Sequence, residues 1–202
     1  MAPVIFFHKT ITQMKKQSQL PEYVTPEEFL QLPLSQAIPF VIQDVKRFTK
    51  AGVKIDTDDW AVSDSEGKPC SVCPGGAAVL GFYNGELPEL VKDRITSSGY
   101  RSYAGVSIDV IGIDKGRYAS IFYIVATTFN YVRNCDYIIA LRSWLTNGRE
   151  RQKFIDNTEL NTVLYDLYVK HTEVCGRLSS SEIRRLCKQM TELATVLEKY
   201  GY

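Results

Sequence analysis

Two cysteines, Cys70 and Cys73, stand three apart in "GKPCSVCPGGAAVLGFY", residues 67–83. Thiolates at this spacing can chelate one zinc ion and supply half of a tetrahedral site. The other half would come from His171 and Cys175, which share a face if the segment around them is helical, with Cys187 as a substitute for either. The Cys-x-x-Cys spacing also fits a redox pair at a helix N-terminus, but no βαβ pattern surrounds it. A third reading needs no chemistry. Pro74, Gly75 and Gly76 open a helix whose alanines let another backbone approach, and free cysteines are among the most buried residue types. The two ligand pairs lie about a hundred residues apart, whereas zinc modules gather their ligands locally. Packing is therefore the expectation, with no cofactor, and zinc is the one metal that the pattern admits.

Other chemistry is sparse. The chain has two histidines, His8 and His171, and neither belongs to a G-x-S-x-G or H-E-x-x-H motif. A hydrolase built on carboxylates alone would draw on Asp109 and Asp114, flanking a strand-like segment. "DTDDWAVSDSEG" lacks the sixth-position glycine and twelfth-position glutamate of a calcium loop. "PGGAAVLG" lacks the Lys-Ser/Thr that completes a phosphate cradle. Arg149, Arg151 and Lys153 form one basic cluster, and Arg184, Arg185 and Lys188 form another. With a net charge of +1 they imply no bulk attraction to nucleic acid or to an anionic membrane. Twelve tyrosines point elsewhere, since tyrosine gives protein interfaces large contact area at low entropy cost. Tyr165, Tyr168 and Tyr200, with Arg184 and Arg185, are the candidate interaction surface.

The elements that must position these residues are mainly helical. Thr25 caps a short helix that opens at Pro26. "LSQAIPFVIQDVKRFTKAG" then places Ile38, Val41, Ile42, Val45 and Phe48 on one face, and Gly52 stops it. Residues 53–69 read as a polar, acidic loop around Trp60. Residues 4–16 fit a short helix or an edge strand, and "ELPELVKDRI" fits a further helix. Residues 105–114 are rich in β-branched side chains and read as the one β element. Residues 117–133 and 136–146 are buried helices, and "NGRERQK" is a polar link.

The last fifty residues carry two helices, each introduced by a capping box and hydrophobic staple. The boxes are Asp156 with Glu159 and Ser179 with Glu182; the staples are Ile155 with Leu160 and Leu178 with Ile183. Leu160, Val163, Leu164, Leu167, His171 and Val174 line the first helix, which Gly176 ends. Ile183, Leu186, Met190, Leu193 and Leu197 line the second. The expected architecture is mainly α with a minor β element. A body, residues 1–148, carries an antiparallel helical hairpin, residues 155–200, seam against seam.

Trp60, Asp64, Glu66 and "PCSVCPGGAAVLG", after the lead-in "TKAGVKIDTDDW", resemble a pattern in small uncharacterised phage and bacterial proteins. There an acidic-aromatic stretch precedes two cysteines and a Gly-Ala helix. The resemblance covers residues 49–80 and departs at Pro74-Gly75, where leucine-alanine is usual. It implies a phage or mobile-element origin and carries no activity.

Composition bounds the remaining classes. Apolar residues at 45% and charged residues at 23% describe an ordinary globular chain rather than a disordered one. "YASIFYIVATTFNYV" falls short of the ~20 residues of a spanning helix, and the first residues lack the basic start of a signal peptide. Five scattered cysteines do not form a secreted disulfide framework, so a reducing cytoplasm, of a host cell if the chain is phage-encoded, is the expected location. The leading expectation is a non-enzymatic protein that binds, and thereby inhibits, a host protein. Its partner is a host or phage protein, with homodimer formation through the hairpin. A zinc-stabilised nucleic-acid-associated protein and a carboxylate hydrolase are the alternatives.

Overall fold

The computed structural model describes residues 24–58, 61–63, 69–81 and 117–202. The expected elements at 4–16, 86–95 and 105–114 lie outside them, as do His8, Trp60, Asp64, Glu66, Asp109 and Asp114. Among the described residues eight helices and three short strands form, so the chain is mostly helical with a minor β element.

Thr25 starts α1 (Pro26–Leu30) with a full capping box: its hydroxyl accepts from Glu28 N, and the Glu28 carboxylate accepts from Thr25 N. The amphipathic α2 (Leu34–Lys50) buries Ile38, Val41, Ile42, Val45 and Phe48, and the chain turns away at Gly52, φ +84°. The stretch expected to be an acidic loop instead supplies β1 (Lys54–Ile55) and β2 (Ala61–Ser63), and β3 (Pro69–Val72) starts at its last residue. β3 is central, parallel to β1 and antiparallel to β2, with a register shift between Val62 and Ser63. Strands of two to four residues leave no hydrophobic period to read; ladder hydrogen bonds hold them.

From β3 the chain enters α3 (Pro74–Gly81), buried nearly all round between α2 and α4 (Arg117–Arg133). Its glycines permit this: a Cβ on Gly75 would stand 3.0 Å from the Ala126 Cα. After α4 come α5 (Tyr137–Trp144) and α6 (Gly148–Asp156). Phe29, Phe129 and Trp144 meet edge-on or tilted at centroid distances of 5.6–6.3 Å, and the Trp144 indole donates to Leu32 O.

Helix α6 corrects the reading of residues 147–153 as a polar link. A single buried side chain, Phe154, anchors an otherwise hydrophilic helix. It also moves the next boundary. Asp156 belongs to α6, and Asn157 caps α7 (Thr158–Lys170), its side-chain oxygen accepting from Leu160 N at 3.0 Å. Ile155, expected as a staple, is 42% exposed. Helix α7 ends at Lys170, six residues before the expected stop at Gly176, and His171 is its C-cap. Ser179 and Glu182 form the expected box at α8 (Ser180–Lys199). The apolar seam of α8 finds a partner that spacing alone does not reveal: it lies along α2, with much smaller contact to α7. The α7–α8 connection is tied to the sheet by Leu178 N donating to Ile55 O and Thr57 N donating to Gly176 O.

Candidate functional site

The four residues considered for zinc sit in four different settings. Cys70 is half-buried in β3. Cys73 is buried at the start of α3, where its sulfur accepts from Gly76 N at 3.2 Å. It does for this helix what a serine or aspartate side chain does at other N-caps. Burial pushes its thiol up from the ordinary range, against the pull of the same amides. His171 uses both ring nitrogens within the protein, and Cys175 is exposed in the loop beyond α7. The helical i, i+4 geometry expected for this last pair does not form, because α7 has already ended. Among the described residues no group of three or more His, Cys, Asp or Glu is placed to hold a metal.

The candidate interaction residues also divide. Tyr165 and Tyr168 are 57% and 51% exposed on α7, rings 6.1 Å apart, with Val169 exposed beside them. Tyr200 is not free: its hydroxyl donates to the Glu159 carboxylate at 2.6 Å, bracing the end of α8 against the first turn of α7. Arg184 and Arg185 are exposed on α8. Val196 is half-buried against the core.

Beside the tyrosine pair lies a cluster that spacing did not reveal. Helix α4 closes with a Schellman motif, Cys135 N donating to Val132 O and Asp136 N to Tyr131 O. The residue in the left-handed position, φ +59°, is Cys135. Glycine normally stands there, since a side chain in this conformation costs about 1–2 kcal/mol. The Cys135 thiol donates to Arg133 O at 4.0 Å, and two residues on the hydroxyl of Tyr137 lies 2.6 Å from Nδ1 of His171. His171 Nε2 lies 2.9 Å from Glu192 Oε2, which also accepts from Lys170 Nζ at 2.7 Å. Lys170, then His171, pulls the Glu192 carboxyl down to about 2, so it stands ionised as an acceptor. Nε2–H therefore donates to Glu192. In the neutral ring Nδ1 accepts from the Tyr137 hydroxyl.

Tyr137, His171 and the neighbouring Cys135 are shielded, while the Glu192 side chain is 29% exposed. Cys135 and Tyr137 are almost fully buried and the His171 side chain is 4% exposed. Burial raises the Cys135 thiol and holds the Tyr137 hydroxyl above the ordinary phenol range. Arg185 is near enough to Cys135 to oppose that rise. Cys135, Asp136 and Tyr137 form one end of a cleft of about 250 Å³, and Ile138, Leu164, Tyr165 and Tyr168 form its apolar walls. The cleft lies below the ~300–1,000 Å³ of sites for drug-sized ligands, so it admits one side chain or a short carbon chain.

No family model matches this chain, and no curated protein or solved structure matches it either.

Proposed function

We propose that the chain is a non-enzymatic accessory protein that works by binding another protein through the exposed face of α7. The observation that carries this reading is the tyrosine pair, each ring more than half exposed beside an apolar cleft of one-side-chain size. The partner is a protein that inserts an aliphatic side chain between Ile138, Leu164 and Tyr168, with Tyr165 as the flanking contact. The exposed neighbours of the tyrosine pair on α7 are Thr162, Val169 and the acidic Asp166, a setting that does not fit phosphate. We read α7 and α8 as an antiparallel hairpin that presents this face; the Tyr200–Glu159 and Lys170–Glu192 contacts at the two ends of α7 support that reading. A phage origin, and inhibition of a host protein as the outcome of binding, rest on the resemblance around residues 49–80.

Selection of a displayed random-peptide library against the full chain tests this function. Peptides sharing an aliphatic anchor should be enriched, and a Tyr165→Ser/Tyr168→Ser variant with unchanged circular dichroism should lose them. Enrichment indifferent to that double substitution refutes the proposal. So does a wild-type dimer by light scattering that the substitutions dissociate, since a second copy would then occupy the face.

A further inference from the structure

We propose that the anchor taken into the cleft beside α7 is a lysine side chain of the partner, its stem between the apolar walls and its ammonium at Asp136. This rests on the reading of the α7 face as a protein-binding surface and adds the charge of what enters it.

Three features converge on an alkylammonium group. The cleft of about 250 Å³ has Ile138, Leu164, Tyr165 and Tyr168 for walls and Asp136 at one end, which matches a slender apolar stem that ends in one positive charge. The rings of Tyr165 and Tyr168 lie 6.1 Å apart, tilted by 40°, and are 57% and 51% exposed. Ring faces attract a cation through their quadrupole, and two of them make part of an aromatic cage. The Asp136 carboxylate caps α5 with one oxygen, Oδ1 accepting from Ile139 N at 3.3 Å. Among the described residues nothing donates to Oδ2, which is left for an incoming N–H. One open oxygen suits a compact ammonium, whereas the planar fork of arginine is matched to a carboxylate that offers both.

The surrounding charges agree with a cation. Asp166 adds a carboxylate on the exposed side of α7, while Glu173 and Arg185, both near Cys135, offset one another. Lys170 of the same helix is engaged by Glu192 at 2.7 Å, which leaves the cleft to a partner's lysine. A purely aliphatic anchor would cover the half-buried Asp136 carboxylate and strip it of water with nothing in return. A lysine fills the same apolar space and supplies the missing donor.

The test is a heteronuclear NMR titration of the full chain with N-acetyl-lysine N-methylamide, beside its norleucine counterpart, which keeps the stem and lacks the ammonium. Saturable shifts at the amides of residues 136–139 and 165–169 are expected for the lysine probe, with norleucine bound about tenfold more weakly. Asp136→Asn is the deciding variant, because asparagine caps a helix as well as aspartate and α5 keeps its start. It should weaken lysine binding to about the norleucine level and flatten its dependence on salt. Norleucine bound as tightly as lysine, an arginine probe bound more tightly, or full lysine affinity in Asp136→Asn overturns the assignment. Lysine shifts outside the cleft, or none, overturn it too. Should Asp136→Asn fail to fold, the lysine–norleucine comparison on the wild-type chain decides alone. Each of these failures leaves the binding face standing if displayed peptides still depend on Tyr165 and Tyr168, so the two readings are told apart.

Discussion

A sulfur atom is a weak hydrogen-bond acceptor, yet that of Cys73 closes the first turn of α3 by accepting from Gly76 N. It can do so because Pro74 presets the first helical φ and Gly75 keeps the turn free of a side chain against Ala126 of α4. Cys135 carries the same thiol into another setting, a left-handed link whose sulfur donates to Arg133 O. The two can be separated by substitution. Cys73→Ala should cost about 1 kcal/mol in urea unfolding, the usual loss for an N-cap, whereas Cys73→Ser should recover most of it. The purified protein should yield no zinc in either form by mass spectrometry. A Cys73→Ser variant less stable than Cys73→Ala would show that the sulfur matters for packing and not as a cap.

Among the elements, α7 has the least self-sufficient boundary. Asn157 starts it and His171 ends it, and its last turn is held from outside by Glu192 of α8. Lys170 and His171 donate to one carboxylate oxygen, and Lys188 approaches the other at 4.0 Å. The Glu192 carboxyl is thereby lowered to about 2 from an unfolded value near 4.5. A depressed carboxyl pKa means that the unfolded chain binds the proton more readily. The stabilisation from Glu192 is accordingly complete above about pH 4.5 and lost as pH falls toward 2. Glu192→Gln should lower the melting temperature at pH 6, and the gap from wild type should close by pH 2. A gap that stays constant across that window would mean that Glu192 acts only through packing. Salt should narrow the gap at pH 6, since Lys170 is 63% exposed.

At the scale of the whole molecule, the C-terminal helices and the preceding body share one core. The buried face of α8, with Leu186, Met190, Leu193 and Leu197, lies along α2, and the loop before it is hydrogen-bonded to the β1 segment. Deleting residues 148–202 would strip α2 of that cover and expose the aliphatic stripe from Ile38 to Val45. The truncated chain should lose cooperative thermal unfolding and bind a hydrophobic dye. A truncated chain with a sharp transition would show that the body folds without α8. No helix among the described residues is long and apolar enough to cross a membrane.

The elements legible in the sequence are those whose stability is written within their own span. Helix α2 repeats apolar residues at helical spacing, and α8 adds a Ser179–Glu182 box, so period and cap agree without reference to anything distant. The short strands were illegible because two to four residues take their shape from ladder partners, and α6 because Phe154 alone anchors it. The candidate site was legible only in part. Tyr165 stands off the Leu160–Leu164–Leu167 stripe, which already implies exposure, whereas Tyr168 borders the stripe and only the fold shows it exposed. Cys135, Tyr137, His171 and Glu192 come from a turn and three helices, and no local pattern joins them. Sequence by itself determined which faces had to be buried, because burial follows side-chain polarity at a fixed helical period. Only the tertiary structure decided which buried face met which, placing α8 on α2 and a histidine between a tyrosine and a glutamate, because those choices depend on shape and hydrogen-bond direction across distant segments.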